Sequence, residues 1–287
     1  MDAPPADVVA ADVDRALAED LGDGDLTAGL VPAGLVARAS IVCREQAVLC
    51  GTAWAEAVFA ALDPRIRIEW LLGDGAAVDP DQQIGRLRGP ARGILGGERV
   101  ALNFLQLLSG TATTTRAWAD AIAGTGCTLL DTRKTLPGLR AAQKYAVRCG
   151  GGRNHRMGLY DAVLIKENHI AAAGGIAEAL AGARRAAAGF DVEIEVENLD
   201  QLDEAMRAGA RRVLLDNFTP GALRRAVQLA RDFSATDGSR VELEASGGVD
   251  LGAVRRIAES GVDFISAGAL TKHVRAIDLS LRFAPGG

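Results

Sequence analysis

Six short apolar runs recur through the second half of the chain, each closed by polar or glycine-rich residues and then a stretch of helical character. They are CTLLD (127–131), DAVLI (161–165), VEIEV (192–196), RVLLD (212–216), VELEA (241–245) and VDFIS (262–266). Runs of this length between turn signals read as buried strands. The helix starts between them are marked: Asn198 with Gln201 forms a capping pair, Thr219 precedes a proline at the first helical position, and Asp250 opens the next helix. Strand and helix in strict alternation predict a parallel sheet.

The residues at the ends of these runs decide between an open and a closed sheet. The strand ends carry Asp131-Thr132-Arg133-Lys134, Lys166-Glu167-Asn168-His169, Glu195 to Asn198, Asp216-Asn217, Ser246-Gly247-Gly248 and Ser266-Ala267-Gly268. Six successive strands delivering polar chemistry at their C-terminal ends fit a TIM-like α/β barrel, and six rather than eight make it incomplete. A doubly wound sheet would concentrate such residues at one switch point.

The first hundred residues have another pattern. An acidic amphipathic helix (about 7–20) precedes ARASIVCREQAVLCG, read as a strand pair, and TAWAEAVFAALD, read as a helix. IRIEWLL alternates, and the turn-rich segment after it holds short strands. ERVALNFLQLLSGTATTTRAWADAIA reads as a long helical stretch broken near Ser109-Gly110. In the tail (276–283), Ile277, Leu279, Leu281 and Phe283 recur with period two, so it is a strand, placed on the N-terminal sheet. The expected organisation is an N-terminal α/β sandwich domain (1–111 plus 271–287) joined by the C-terminal tail, and a barrel domain (112–270).

Charge distribution sharpens this picture. The chain of 287 residues carries a formal net charge of −5. Between Arg133 and His169, however, stand eight Lys/Arg and two acids, leaving 24 bases and 35 acids elsewhere. A local field of +6 in a chain otherwise at −11 suits a small, highly charged anion. Nucleic acid would bring a basic surface over much of a domain, with interleaved aromatics, and only Tyr145 and Tyr160 interrupt the window. Lysine is rare: positions 134, 144, 166 and 272, beside 28 arginines. A Lys where Arg is the default cation suggests a point charge for phosphate or a proton carrier. Solvated helix faces explain Lys144 and Lys272 equally well.

The four cysteines are scattered without C-x-x-C spacing, which suits a reduced, cytoplasmic protein. No run of about 18 apolar residues appears, so no membrane span is expected, and the N-terminus lacks a signal-peptide pattern. P-loop, dinucleotide, zincin and serine-elbow motifs are absent.

Two constellations remain. Arg133, Lys134, Arg153, Arg156 and Lys166, with His155, lie in loops at adjacent strand ends, and the glycines of GGGRNHR (150–156) let backbone approach a ligand. A solvated basic face is the plain alternative. His155 reads equally as an orienting donor or a proton carrier. Glu195 and Asp216 could bind ribose hydroxyls, hold Mg²⁺, stabilise developing positive charge, or merely pair with those cations. Which of Glu193, Glu195 and Glu197 faces the site is open.

The segments DTRKTLPGLRAAQKYAVRCGGGRNHRMGLYDAVLIKENHI, EIEVENLDQ, VLLDNFTP, LEASGGV and ISAGALT, in this order, resemble the quinolinate phosphoribosyltransferases. The resemblance runs from about Ala11 to Phe283 and implies an N-terminal α/β sandwich with an incomplete, seven-stranded barrel. It also implies phosphoribosyl transfer from phosphoribosyl pyrophosphate (PRPP) to quinolinate with decarboxylation, giving nicotinate mononucleotide, CO₂ and pyrophosphate, with Mg²⁺ as cofactor. By the same resemblance, Thr132, Arg133, Lys134, His155, Arg156 and Lys166 take the substrate anions. Glu195 and Asp216 hold ribose hydroxyls and metal, and Lys134, Glu195 and Asp216 are the catalytic residues. Ser246, Gly247, Gly248, Ala267, Gly268 and Ala269 cradle the 5′-phosphate. Arg99 reaches the neighbouring subunit's site in a homodimer, with further assembly left open. Rival readings are a barrel transferase acting on nicotinate, a non-catalytic sensor of phosphorylated metabolites and, weakest, a nucleic-acid module.

Overall fold

The computed structural model describes residues 4–284, leaving aside the side chains at 235 and 237. The domain limits expected at residues 1–3 and 285–287 fall outside that range. The chain divides into two compact units. The first comprises residues 1–117, 135–151 and 270–287, and the second 118–134 and 152–269. Thr135–Gly151, inside the span expected for the barrel, thus packs with the first unit.

The first unit is built on strands β1 (Val36–Cys43), β3 (Arg67–Trp70), β5 (Gln83–Pro90) and β12 (Leu279–Phe283), in the order β12-β1-β5-β3, all antiparallel. The tail strand therefore lies where its period predicts, with Leu281 opposite Ile41. Helices α1 (Ala6–Leu21), α2 (Thr52–Leu62), α3 (Ala91–Ala121) and α4 (Arg140–Cys149) bring Val13, Trp54, Phe59, Leu105 and Tyr145 into one core with Ala39, Ile41 and Leu87. Each large side chain buried there is worth about 1.5–3 kcal/mol.

Two local expectations change. The ARASIVCREQAVLCG segment does give two strands, but not a pair: β2 (Ala47–Val48) instead meets β4 (Ala77–Val78). The reason is that β1 has both edges taken, by β5 and β12. And α3 runs unbroken through Ser109-Gly110. The Ser109 hydroxyl accepts from Cys50 N at 2.9 Å and donates to Cys50 O at 3.1 Å. A Cβ on Gly110 would collide with Arg275 O, so this glycine serves close packing rather than a break.

The second unit holds six parallel strands: β6 (Thr128–Leu130), β7 (Val163–Ile165), β8 (Val192–Val196), β9 (Arg212–Asp216), β10 (Glu242–Ser246) and β11 (Phe264–Ser266). Their order is β6-β11-β10-β9-β8-β7. The helices between them are α5 (Glu167–Ala173), α6 (Ile176–Ala186), α7 (Leu199–Arg207), α8 (Pro220–Asp237) and α9 (Leu251–Ala258), and α6 to α9 cover the outer strand face. A short helix, α10 (Ala269–Lys272), comes after β11. The sheet stops short of closure at β6 and β7. Where the resemblance implies a seventh strand, a single parallel bridge joins Leu130 to Arg153. The expected caps form: Asn198 Oδ1 accepts from Gln201 N, Thr219 Oγ1 from Ala222 N, and Asp250 Oδ1 from Ala253 N. Among the described residues no helix is long and apolar enough to cross a membrane.

Candidate active site

Period-two alternation points Glu193 and Glu195 to the same side of β8. Leu214 and Asp216 on β9, Glu244 and Ser246 on β10, and Ser266 on β11 line that side too. The inner residues form two layers, one deep in the sheet and one at the strand ends.

The deep layer is an ion network around His155. Its Nε2 lies 2.9 Å from Glu193 Oε2 and 3.6 Å from Glu244 Oε1. Arg212 donates to both acids, from Nε to Glu193 Oε1 at 3.1 Å and from Nη2 to Glu244 Oε2 at 2.8 Å, while its guanidinium covers the Phe264 ring at 4.4 Å. Arg156 N donates to His155 Nδ1 at 2.7 Å, which places the ring proton on Nε2, toward Glu193.

These contacts set the acid–base properties. Burial pushes the His155 imidazole down, but the Glu193 hydrogen bond and the charges of Glu244 and Glu193 outweigh it, so its pKa rises. Glu193 is held below the ordinary carboxylate value, because His155 and Arg212 overcome its burial. Glu244 is pushed up to about 7, by burial first and then by the Glu193 charge. Its Oε1 is a buried oxygen with no hydrogen-bond partner, which fits a carboxyl that keeps a proton near neutrality.

Loop 153–155 is fastened to the end of β6 by Asp131, which is completely buried. Its carboxylate accepts from Asn154 Nδ2 at 2.6 Å and from His155 N at 2.9 Å. The acid that closes the β6 run is thus a fastener for the loop carrying His155 and Arg156.

The upper layer surrounds a cleft of ≈ 470 Å³ that brings together Thr132, Arg133, Lys134, His155, Arg156, Lys166, Glu195, Asp216, Ser246, Gly247 and Gly248. The Thr132 hydroxyl accepts from Lys134 N at 3.0 Å and shapes the turn. Lys166 Nζ meets Glu195 Oε2 at 2.7 Å, and Asn217 Nδ2 donates to Asp216 Oδ2 at 2.7 Å. Glu195 Oε1 and Asp216 Oδ1 accept no hydrogen bond among the described residues. The Arg156 guanidinium reaches Ala162 O at 3.2 Å, and its pKa is lowered by burial first and then by the charge of Arg133.

Backbone geometry explains several glycines and one asparagine. Gly247, at φ +92°, approaches Asn217 so closely that a Cβ would collide with its Oδ1. Asn217 is itself left-handed at φ 57°, a conformation asparagine tolerates better than most residues. A Cβ on Gly268 would fall 2.9 Å from Lys134 Cδ, so this glycine makes room for the lysine chain.

Not every residue named from the sequence reaches the cleft. Ala267, Gly268 and Ala269 do not line it, and the Ala267 N–H is already engaged with Leu130 O at 3.0 Å. Arg99 belongs to the first unit, exposed on α3. Glu197, left open by the pattern, is exposed beyond the strand end. Lys144 is completely buried on α4, so the solvated-face reading fails for it, whereas Lys272 is exposed. The deep-layer Arg212 and Glu244 went unnoticed. The signal available was their place in alternation with Asp216 and Ser246.

Two family models, described as Quinolinate phosphoribosyl transferase, N-terminal domain and C-terminal domain, match residues 25–109 and 111–282. A nicotinate-nucleotide pyrophosphorylase [carboxylating] of Mycobacterium leprae is 44% identical over 93% of this chain and 94% of its own length. A quinolinate phosphoribosyltransferase [decarboxylating] of Nicotiana tabacum is 40% identical over 94% and 81%. The solved nicotinate-nucleotide pyrophosphorylase of Francisella tularensis superposes with a TM-score of 0.91 at 48% identity, covering 98% of this chain and 97% of its own. Human nicotinic acid phosphoribosyltransferase, at 12% identity and a TM-score of 0.65, shares the fold alone.

Proposed function

Since the chain belongs to the quinolinate phosphoribosyltransferase family, we propose that the cleft at the strand ends of the second unit is where it joins quinolinate to PRPP. The activity is that of a carboxylating nicotinate-nucleotide pyrophosphorylase, a phosphoribosyltransferase of de novo NAD synthesis.

One observation carries the assignment of residues: Arg156, half-buried, is pressed by the charge of Arg133 beside the same cleft. Two guanidiniums converging on a cleft are relieved by an anion with more than one charge, and quinolinate brings two carboxylates that suit their forks. Arg133, Arg156 and His155 grip the diacid. Lys134 and Lys166 meet the pyrophosphate, as point charges that track phosphate oxygens as they move. Ser246, Gly247 and Gly248 take the 5′-phosphate. Glu195 and Asp216 hold the ribose hydroxyls.

The chemistry runs in two steps. The quinolinate ring nitrogen forms a bond to the anomeric carbon as the bond to pyrophosphate breaks. Positive charge on the sugar is met by Glu195 and Asp216, which need no reorganisation to do so. The nitrogen, now cationic, draws in the electron pair released when the adjacent carboxylate leaves as CO₂, and that carbon then takes a proton. Glu195 Oε1 and Asp216 Oδ1 are hard oxygen donors of the kind Mg²⁺ uses together with substrate phosphates. These two residues would hold the ion, which when bound neutralises charge on the pyrophosphate.

The active unit is a homodimer in which Arg99 enters the neighbouring subunit's cleft, a reading supported by its exposure and its lack of hydrogen-bond partners among the described residues. By sequence span we assign domains 1–111 with 271–287 and 112–270, residues 112–117 and 135–151 of the latter packing with the first compact unit, and a cytoplasmic location, which four cysteines outside any disulfide favour. Mixing inactive Arg99→Ala and Lys134→Ala dimers tests the shared site: subunit exchange restores part of the activity, and no recovery despite demonstrated exchange refutes it. The function itself is tested by supplying quinolinate or nicotinate with PRPP and Mg²⁺. Equal amounts of nucleotide and CO₂ from quinolinate, with nothing from nicotinate, are expected, and turnover of nicotinate alone would defeat the diacid assignment.

A further inference from the structure

The sheet of the first unit has helices over one face and an open cavity of ≈ 570 Å³ on the other. The strand register makes that open face predominantly positive. Arg38 on β1 stands directly opposite Arg88 on β5, and Arg88 directly opposite Arg67 on β3. In the next row, Arg282 faces Ser40, Ser40 faces Arg86, and Arg86 faces Glu69. Five arginines thus share the face with one glutamate, in a chain whose net charge is −5.

Like charges directly opposite each other across a sheet are destabilising. Here three fall in one line, and nothing among the described residues offsets them. Arg38 and Arg88 make no side-chain hydrogen bond or ion pair among the described residues. Arg67 donates only to carbonyls of its own turn, Pro64 O and Ile66 O. The single acid, Glu69, lies 3.7 Å from Arg86 with both side chains more than half exposed, a weak pair. The cost of this arrangement is removed by an anion that lies across the strands.

We propose that this face binds an anion built of linked phosphates, held across the strands by Arg38, Arg88 and Arg67. Adjacent strands lie about 4.8 Å apart, so the three forks span roughly 10 Å. That suits a chain of phosphates better than a single one, and guanidinium is the side chain that binds phosphate oxygens bidentately. The site belongs to the first unit and shares no residue with the cleft of the second. Free oligophosphate and a nucleoside triphosphate present the same chemistry to it.

Thermal melts and calorimetry with inorganic tripolyphosphate at about 150 mM salt test this on the full chain. Lys134→Ala serves as background, so that the catalytic cleft contributes less to binding. Arg88→Gln is expected to raise the melting temperature without anion, because it removes the middle charge of the row. It is also expected to weaken tripolyphosphate binding at least tenfold and, in the otherwise unaltered chain, to leave turnover of saturating substrates within twofold. Arg38→Gln at the end of the row gives the same pattern and guards against a misfolded variant. ATP in a parallel titration separates the sources: tighter binding than tripolyphosphate assigns a nucleotide, and equal binding assigns the phosphate chain alone. Unchanged affinity in Arg88→Gln, or affinity in the parent that vanishes at this salt, overturns the proposal.

Discussion

The two inner layers of the parallel sheet carry charge in opposite styles. In the deep layer Arg212 donates to Glu193 and Glu244, and Glu193 also meets His155, so charge is matched within the protein. In the upper layer Lys166 pairs with Glu195, the charge of Arg133 bears on Arg156, and two carboxylate oxygens accept nothing among the described residues. A matched network fixes shape. The upper layer gathers Arg133, Lys134, Arg156 and Lys166 around one cleft, the composition of a binding site for anions. His155 belongs to both, its ring in the deep network and its position on the cleft wall.

The largest break in this comparison comes from removing an upper-layer cation that nothing else replaces. Lys134→Ala is expected to lower kcat/KM for quinolinate by about 10³-fold, the scale of losing one preorganised electrostatic partner, with an unchanged melting temperature. Near-normal turnover would show that the upper layer works without it. Next comes the tie between layers. Asp131→Ala leaves the donors of Asn154 and His155 unpaired and should destabilise the fold by about 1–3 kcal/mol in chemical denaturation. It should also raise KM for quinolinate, since loop 153–156 carries Arg156. A loss of stability with KM untouched would separate the fastener from the site.

The deep layer is sharpened by pH. Glu244 has a folded pKa of about 7, above its ordinary 4.5. Below pH 4.5 both states hold its proton, and between 4.5 and 7 the folded state holds one the unfolded chain has lost. Stability therefore declines as pH rises through that window, by on the order of 3 kcal/mol if this group acted alone. His155, also raised, acts in the same direction across its own range. Glu244→Gln should flatten the decline in denaturant midpoints between pH 5 and 8, and an unchanged slope would mean that Glu244 does not drive it. The smallest effect is expected at Gly268→Ala. Its Cβ displaces only the flexible Lys134 chain, so kcat/KM should fall a few-fold while stability holds. A drop as large as that of Lys134→Ala would mean the glycine has a further role.

Much of the molecule is legible along the chain, because strands, caps and period-two faces are local. VEIEV and RVLLD form strands over the residues that the pattern gives, and Thr219-Pro220 caps where it should. The upper-layer cations are legible too, since they stand at strand ends. The features that escape such a reading depend on neighbours far apart in sequence. Arg212 joins Glu193 and Glu244 only once register is set, Gly110 is explained by the distant carbonyl of Arg275, and the Ala267 N–H goes to Leu130 rather than to a ligand. The open-face arginines likewise become a row only when three strands pair.

The most direct test of the layered site is a crystal structure of the protein soaked with quinolinate. Both carboxylates should lie in the upper cleft, on Arg133 and Arg156 with a lysine in reach, leaving the Arg212 contacts with Glu193 and Glu244 intact. Finding the diacid instead in the neighbouring cavity of ≈ 490 Å³ beside Arg153 and Arg212, with the Arg212 network broken to receive it, would contradict the division into a structural and a binding layer.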